Sequence, residues 1–281
     1  MSKHLILGSA GQIGGHLCDY LAEKNEIVER FDIVDSSNFD LRVENNKHLN
    51  LALERSDFVH FLAFDVGGAR YLAKNQDKAQ FISNNMKIMS NTFEAISRHN
   101  KPFIFASSQM AYMQNSSYGS LKRLGEKMTI DLGGVVTRFW NVYGIEKDHT
   151  KSHVITDLVR SGLRNNRINV MTDGTEVRQF LYADDCSACL HKISKNYQTF
   201  SGKTHDVSSF SWSSISEIAS IIASNLDIDD LSFGSFKDGL QTLDPIDPSL
   251  TILEHWKPET LLADGISKIV EYERKNVHTF G

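Results

Sequence analysis

The chain has 281 residues, of which 41% are hydrophobic and 23% are charged, and its formal net charge is −5. This composition excludes disordered, collagen-like and low-complexity proteins, and the absence of a basic block argues against nucleic acid as a main partner. Apolar runs are strand-sized, such as 103–106, far below the roughly 18 residues that a membrane span requires. The start of the chain has no apolar region or cleavage site of a signal peptide, which predicts a cytoplasmic protein.

Short apolar runs alternate with amphipathic segments through the first half of the chain. The runs predict strands at 4–7, 27–32, 58–64, 103–107 and 135–140. The segments between them predict helices at 13–24, 49–54, 76–99 and 118–132. Continuous apolar strands that alternate with helices are typical of a parallel sheet covered on both faces. The sequence therefore predicts an α/β fold with a doubly wound parallel sheet.

The second half of the chain is less regular. Its periodicity predicts helices at 154–164, 184–194, 215–225 and 259–273, and a strand at 168–171. The regular alternation ends near Tyr143 and Gly144. We therefore place a first domain at 1–142, with a later return of the chain near 178–207, and a smaller C-terminal α/β domain at 143–281.

Three cysteines, Cys18, Cys186 and Cys189, are too few for a disulfide framework. Cys186 and Cys189 have the CxxC spacing of metal and redox sites. They lie in a predicted helix and no second pair exists, so helix packing is the preferred interpretation and no metal site is predicted.

A glycine-rich segment joins the first predicted strand to the first predicted helix. Its residues are Gly8, Gly11, Gln12, Ile13 and Gly14, with the spacing GxxGxxG. Glycines in this context permit a tight turn and close approach of a pyrophosphate, which the helix N-terminus attracts. The context therefore predicts a Rossmann-type dinucleotide site at these residues.

Asp32 ends the second predicted strand, 24 residues after Gly8. A carboxylate there can accept hydrogen bonds from both ribose hydroxyls of an adenosine and would repel a 2′-phosphate. The sequence therefore predicts NAD as the cofactor, although the nearby Arg30 leaves NADP as the alternative.

Tyr118 and Lys122 are four residues apart on a predicted helix and so share a face. A neighbouring ammonium lowers the pKa of a tyrosine, which then exchanges a proton with a sugar hydroxyl while hydride moves to or from nicotinamide. Lys122 is also expected to hold the nicotinamide ribose. Ser108, at the end of the fourth strand, supplies a further hydroxyl.

Together with the glycine loop and Asp32, these residues resemble the extended short-chain dehydrogenase/reductases, which include NAD-dependent nucleotide-sugar epimerases and dehydratases. Segments 59–63, 106–112, 138–144 and 178–185 match family signatures in the same order. The resemblance implies further cofactor contacts at Asp40, Leu41, Leu62, Ala63 and Asn85. It implies substrate contacts at Ser108, Asn141 and Arg178, the last through a nucleotide phosphate, and it makes 143–281 mainly the nucleotide-sugar domain.

Two details are similar to GDP-fucose synthases and GDP-mannose 3,5-epimerases. Gly67 and Gly68 resemble the glycine pair after their third strand, and 152–158 resembles a segment whose histidine, here His153, is a catalytic acid. The resemblance implies a GDP-sugar substrate that contacts Gly67, Gly68 and His153. The alternatives are a plain turn at the glycines and a structural or solvated histidine.

The chain departs from these relatives at Gln109 and Met110. The two GDP-sugar enzymes have a cysteine in place of Met110, and sugar 4,6-dehydratases have Asp-Glu at both positions. A thioether cannot exchange a proton, so the remaining machinery is that of hydride transfer at a sugar carbinol, usually C4. The predicted function is a nucleotide-sugar epimerase or oxidoreductase, with a 4-ketosugar reductase or a non-catalytic NAD sensor or scaffold as alternatives.

The resemblance also implies a homodimer formed by the two long helices, 76–99 and 118–132. Apolar side chains such as Phe81, Ile88 and Met89 fit either this interface or the core of the subunit.

Overall fold

The computed structural model describes residues 1–113, 115–146, 152–237 and 246–276, with the backbone alone at 69 and 70. The strands are β1 Lys3–Leu7, β2 Ile27–Phe31, β3 Phe58–Phe61, β4 Phe103–Ser108, β5 Val135–Phe139, β6 Asn141–Tyr143, β7 Ile168–Thr172, β8 Val177–Tyr182, β9 Thr204–Val207, β10 Trp212–Ser214 and β11 Leu231–Phe236. The helices are α1 Gln12–Glu23, α2 Lys47–Arg55, α3 Ala69–Asn75, α4 Ala79–His99, α5 Ser117–Asp131, α6 Val154–Asn165, α7 Ala183–Lys195, α8 Tyr197–Phe200, α9 Ile215–Leu226 and α10 Leu262–Asn276.

The main sheet has six strands in the order β2-β1-β3-β4-β5-β9, and every neighbouring pair is parallel. The predicted Rossmann-type fold class is confirmed. The strand order changes direction at the β1–β3 pair, and in such sheets ligands bind beyond the carboxyl ends of the strands at this point. The first core cluster lies on this sheet and includes the rings of Phe61, Phe93, Phe103 and Phe105.

The described chain divides into two compact units. Unit 1 comprises Met1–Trp140, Cys186–Val207 and Ser249–Lys257, and unit 2 comprises Asn141–Asp185, Ser208–Pro248 and Pro258–Gly281. Unit 2 contains the three-stranded sheet β10-β8-β6 and the two-stranded sheet β11-β7. The sixth strand of the main sheet, β9, lies in the segment Cys186–Val207 of unit 1. The sequence predicted that the chain returns to the first domain near 178–207 but predicted no strand there.

Three predicted elements differ clearly from the structure. The last helix, predicted at 259–273, lies at Leu262–Asn276. The third strand ends at Phe61 and not at residue 64, which frees the following residues for the site. The long helix predicted at 76–99 begins at Ala79, because Lys78 is extended (φ −77°, ψ 137°) and Gln76 belongs to the end of α3.

Several side chains have packing roles. Phe81, Ile88 and Met89 lie in the first core cluster, so they belong to the core and not to an interface. Cys186 and Cys189 are buried in α7, and burial raises the pKa of the Cys189 thiol. Among the described helices, none combines the length and the apolar character that crossing a membrane requires.

Candidate active site

The glycine loop is built by backbone contacts that a side chain would block. Gly8 follows β1 with φ of +91°, a left-handed conformation that glycine adopts readily. A Cβ atom on Gly8 would lie 2.7 Å from the Ala63 nitrogen, and one on Gly14 would lie 2.1 Å from the Gly8 carbonyl oxygen. Gly11 is the N-cap of α1 and offers no side chain to the first amides of the helix. The helix N-terminus is therefore suited to bind an anion.

Asp32 lies against this loop. Its Oδ2 accepts a hydrogen bond from the Ala10 amide at 3.0 Å, and its Oδ1 accepts one from the Val34 amide at 3.0 Å. Arg30 donates to the Ser9 carbonyl oxygen at 3.0 Å, so its guanidinium is also engaged with the loop. Each Asp32 oxygen retains a lone pair with which it can accept a hydrogen bond from a ribose hydroxyl.

Gln12 adds a polar atom in need of a partner. Its Nε2 is buried and has no hydrogen-bond partner among the described residues, and buried amides are rarely left so. Ile13 follows it in the first turn of α1. An anion-binding helix end, a carboxylate beside it and an unpartnered amide fit a dinucleotide such as NAD.

The predicted adenine contact is held in place by its neighbours. Asp40 accepts two side-chain hydrogen bonds from Arg42 at 2.9 and 2.8 Å, and these lower the pKa of its carboxyl group. Leu41 is buried in the core, and its carbonyl oxygen accepts a hydrogen bond from Asn91. The contact with adenine stays a prediction, and the Asp40 carboxylate would have to share its oxygens with Arg42.

Asn85 shapes the segment that follows β3. Its buried amide donates to the carbonyl oxygens of Asp65 and Phe81, both at 3.1 Å, and its oxygen accepts the Asp65 amide at 2.7 Å. The Leu62 amide pairs with Leu7 at 2.9 Å, which brings Ala63 against Gly8. Asn85 therefore fixes this backbone, and its predicted contact with a cofactor stays untested.

The predicted substrate glycines form the turn into α3. The Gly68 carbonyl oxygen accepts the Tyr71 amide at 2.9 Å, and a Cβ atom on Gly67 would lie 2.9 Å from the Tyr71 side chain. Packing thus explains Gly67, whereas a substrate contact at either glycine stays a prediction.

The structure brings Ser108, Tyr118 and Lys122 together. The Ser108 side chain acts on the Tyr118 phenol and favours its ionised form, and Lys122 Nζ lies 5.6 Å from the centre of the Tyr118 ring. Lys122 Nζ donates to the Ala106 carbonyl oxygen at 2.7 Å. Tyr118 is only 8% exposed and Lys122 only 3%. The three residues form a compact, water-poor group at the carboxyl end of β4.

Burial controls the protonation of this pair. It raises the pKa of Tyr118 to about 12 against the opposing hydrogen bond from Ser108. It also lowers the pKa of Lys122 to about 7, although the Glu126 carboxylate acts in the other direction. In the protein alone the pKa of Tyr118 is therefore raised and not lowered as predicted, because burial has the largest influence and Lys122 is not among the groups that shift it.

Phe64 is a residue of this group that the sequence analysis missed. The centre of its ring lies 3.6 Å from Lys122 Nζ and 5.7 Å from the centre of the Tyr118 ring. The sequence does mark this residue. Phe64 follows Leu62 and Ala63 at the position where the family signature has a second alanine, and its side chain is much larger than that of alanine.

A buried polar network supports the same elements and was also missed. Arg138 donates to both oxygens of Glu126 at 2.7 Å, and Glu126 accepts the Ser107 hydroxyl at 2.6 Å. Arg138 also donates to the Tyr112 hydroxyl at 2.6 Å, which in turn donates to Asp206 at 3.0 Å. The network joins β4, α5, β5 and β9, and so fixes the elements that carry Ser108, Tyr118 and Lys122.

Close backbone contact positions the start of α5. A Cβ atom on Gly119 would lie 2.0 Å from the carbonyl oxygen of Met110, whose own side chain is buried. The Ser116 hydroxyl caps the helix by accepting the Gly119 amide at 2.9 Å. Helix α5 therefore rests directly on the 3-10 helix Gln109–Tyr112.

Three predicted substrate residues belong to unit 2. Asn141 begins β6 and is paired with Phe180 of the parallel strand β8, two residues after Arg178. Arg178 is 9% exposed, and its Nη1 donates to the Val177 carbonyl oxygen at 2.7 Å. The two residues thus lie on neighbouring strands, and their contact with substrate stays a prediction.

His153, the third, is the N-cap of α6 and is held by Glu146, which the sequence analysis did not single out. The Glu146 carboxylate accepts the His153 amide at 2.9 Å and contacts Nδ1 of the ring at 2.5 Å. The imidazole is 41% exposed and the carboxylate only 5%. Burial raises the pKa of Glu146, but the contacts with His153 outweigh it and the net shift is downward. The Nε2 atom is the ring nitrogen that faces away from Glu146.

Comparison with known proteins agrees with this geometry. An uncharacterized UDP-glucose epimerase of Bacillus subtilis, YtcB, is 26% identical over 96% of this chain and 97% of its own. A UDP-N-acetyl-alpha-D-glucosaminuronate decarboxylase of Bacillus cytotoxicus is 24% identical over 76% of this chain and 77% of its own. The crystal structure of UDP-glucose 4-epimerase from Thermotoga maritima superposes with a TM-score of 0.84 at 20% identity, covering 98% of this chain and 99% of that one.

The model of the NAD dependent epimerase/dehydratase family matches residues 4–207. The match spans the glycine loop, Asp32, Ser108, Tyr118 and Lys122, so the cofactor is NAD and the chain is an enzyme. The protein belongs to the NAD-dependent epimerase/dehydratase family of extended short-chain dehydrogenase/reductases.

Proposed function

We propose that this protein oxidises a carbinol of a nucleotide-sugar, at C4, and returns the hydride to the opposite face of the ketone, so that the net reaction is epimerisation. The observation that carries the proposal is the link between the glycine loop and the Tyr118–Lys122 pair. Ala63 packs against Gly8, and the next residue, Phe64, contacts both members of the pair.

The side chains supply proton transfer for this reaction. Tyr118 takes the proton of the sugar hydroxyl as the C–H bond breaks, and it returns the proton in the reverse step. Ser108 donates to the phenolate oxygen, and Lys122 supplies positive charge next to it. NAD, when bound at the glycine loop and Asp32, accepts and returns the hydride. Because both halves of the reaction use the same hydride, no external reductant is consumed.

The nucleotide is proposed to be UDP, because the B. subtilis relative is described as a UDP-glucose epimerase. A GDP-sugar is the second candidate, favoured by Gly67, Gly68 and the segment around His153. A 4-ketosugar reductase and a non-catalytic NAD sensor remain the alternatives to epimerisation.

We further propose that unit 1 binds NAD and that unit 2 holds the nucleotide-sugar through Asn141, His153 and Arg178. A homodimer through α4 and α5 is proposed as well. Apolar side chains on these helices that stay exposed, such as Met86 and Leu124, are available for it, since Phe81, Ile88 and Met89 belong to the core.

The test is an assay of the purified protein with UDP-, GDP-, dTDP- and CDP-sugars, including UDP-uronic acids, with product analysis by mass spectrometry and NMR. We expect a 4-epimer without net NADH. Net NADH or a decarboxylated product would replace epimerisation by dehydrogenation or decarboxylation, and no product in any reaction would favour the sensor.

The matched variant is Tyr118→Phe. It keeps the buried ring and removes the hydroxyl, so we expect at least about 100-fold lower turnover with unchanged NAD affinity, measured by calorimetry. Unchanged turnover would remove Tyr118 from the mechanism.

A further inference from the structure

We propose that Phe64 is a positioning residue of the hydride-transfer site, which holds the side chain of Lys122 as an ammonium against the Ala106 carbonyl beside Tyr118. This inference rests on the proposed function, because it assigns a role within the same site.

The geometry is that of a cation–π contact. Lys122 Nζ lies 3.6 Å from the centre of the Phe64 ring, well within the roughly 6 Å over which the ring quadrupole attracts a cation. The ring of Phe105 lies farther away, at 5.1 Å. Since Lys122 is 3% exposed, little water competes with the ring, and such contacts are strongest when they are desolvated.

The other groups around Lys122 stabilise its ammonium form only weakly, so the contact with the Phe64 ring matters for its charge. Its own helix presents Glu126 and Tyr118, β4 presents the neutral Ala106 carbonyl and the Phe105 ring, and the segment after β3 presents the Phe64 ring. Burial brings the pKa of Lys122 to about 7, so the amine would lose much of its charge near neutral pH. A neutral Lys122 could not stabilise a Tyr118 phenolate.

The position of the ring is fixed from two sides. On one side, Ala63 is packed against Gly8 of the cofactor loop. On the other, the backbone of Asp65 is held at both its amide and its carbonyl by Asn85. The Phe64 ring also meets the Tyr118 ring at 79°, an edge-to-face arrangement that aromatic pairs favour. A ring held in this way sets the location of the Lys122 ammonium relative to Tyr118.

The first test needs no turnover. In protein labelled with 13C at lysine Cε, the signal of Lys122 is assigned by its loss in Lys122→Arg and titrated by NMR. We expect Phe64→Leu, which keeps an apolar side chain without a π face, to lower the pKa of Lys122 by about one pH unit. Phe64→Tyr keeps the ring and should leave the pKa within about 0.3 units of the wild type. An unchanged pKa in Phe64→Leu would overturn the inference; Phe64→Met replaces that variant if it does not fold.

The second test uses the reaction. Because turnover requires the ammonium, the alkaline limb of kcat should move to lower pH in Phe64→Leu, with kcat about 10-fold lower at pH 8 and KM for the nucleotide-sugar unchanged. Phe64→Tyr should restore the limb. An equal loss of kcat in both variants at every pH would indicate packing alone and overturn the inference. A shifted NMR titration in a protein that turns over no nucleotide-sugar supports the contact while rejecting the proposed function.

Discussion

The glycine loop and the Tyr118 group meet at Ala63 and Phe64, yet they are built in opposite ways. The loop offers backbone amides and tolerates no side chain at Gly8 or Gly14, and the Asp32 carboxylate beside it keeps contact with solvent. The Tyr118 group uses side chains whose charged forms burial disfavours. In the proposed function, cofactor recognition would thus depend on shape, whereas proton transfer would depend on a supported, water-poor environment. Variants should therefore damage one region without the other.

The largest expected effect is on the buried network beneath the Tyr118 group. Arg138→Met leaves the Glu126 carboxylate without its bidentate partner, which should cost about 3 kcal/mol of unfolding free energy, measured by urea denaturation. Turnover should fall while NAD affinity of the folded protein is kept. The control is Arg98→Ala, which removes an exposed ion pair with Glu94 and should cost less than about 0.5 kcal/mol. Equal costs would show that the network adds no particular support.

A variant of the glycine loop is expected to lower NAD affinity, which the Arg138 variant keeps. Gly14→Ala places a methyl group 2.1 Å from the Gly8 carbonyl oxygen, so the loop must shift, at a cost of about 1–3 kcal/mol. NAD affinity should fall strongly by calorimetry. Gly15→Ala is the matched control, because its nearest neighbour would be 3.9 Å away. A Gly14→Ala protein that binds NAD normally would contradict recognition by shape.

The protonation of Lys122 should also appear in the pH dependence of stability. In the fold, burial lowers its pKa to about 7, whereas an unfolded lysine titrates near about 10.4. Between these values the unfolded chain binds the extra proton, so the unfolding free energy should rise with pH, by at most about 1.4 kcal/mol per unit. From pH of about 8.5 the Cys189 thiol opposes this rise, and above pH of about 10 Tyr118 does so too, because burial raises both pKa values in the fold. Urea denaturation at pH 7, 8 and 9 measures the slope, and Lys122→Met should remove it; the same slope in that variant would reject the assignment.

The smallest expected effect concerns Asp32. Asp32→Ala removes both acceptor oxygens for the ribose and two hydrogen bonds to the loop, so NAD affinity should fall about 10-fold. Affinity for the nucleotide-sugar should be unchanged in the same calorimetric experiment. Equal losses for both ligands would argue against a role at the ribose.

The features that could be predicted from the sequence are those that depend on residues close together in the chain. The glycine loop, Asp32 and the Tyr118–Lys122 spacing could be recognised because each depends on a few neighbouring positions and on the order of strands and helices. The support of the pair depends on long-range contacts, such as Tyr112 with Asp206 and Phe64 with Lys122, which no periodicity encodes. The direction of the Tyr118 shift was missed for the same reason, because desolvation is a property of the packed molecule.

The helix break before Ala79 shows the same limit. Residues 76–78 have no proline or glycine, so the pattern predicts a continuous helix. The break lies at Lys78, whose backbone is extended, whereas Gln76 keeps a helical conformation at the end of α3. The hydrophobic pattern of the sequence does not encode this change of backbone conformation.

The contact between Gly119 and the Met110 carbonyl oxygen separates two properties of residue 110 that usually change together. Helix α5 rests on the backbone carbonyl of this residue, whereas its buried side chain packs in the same core cluster as Tyr118. Gln109 and Met110 occupy the positions at which the resembling families have a cysteine or a pair of carboxylates. A carboxylate at 110 would keep the backbone support of the helix but would be buried among apolar side chains, so new acid–base chemistry at this position requires the neighbouring core to change with it.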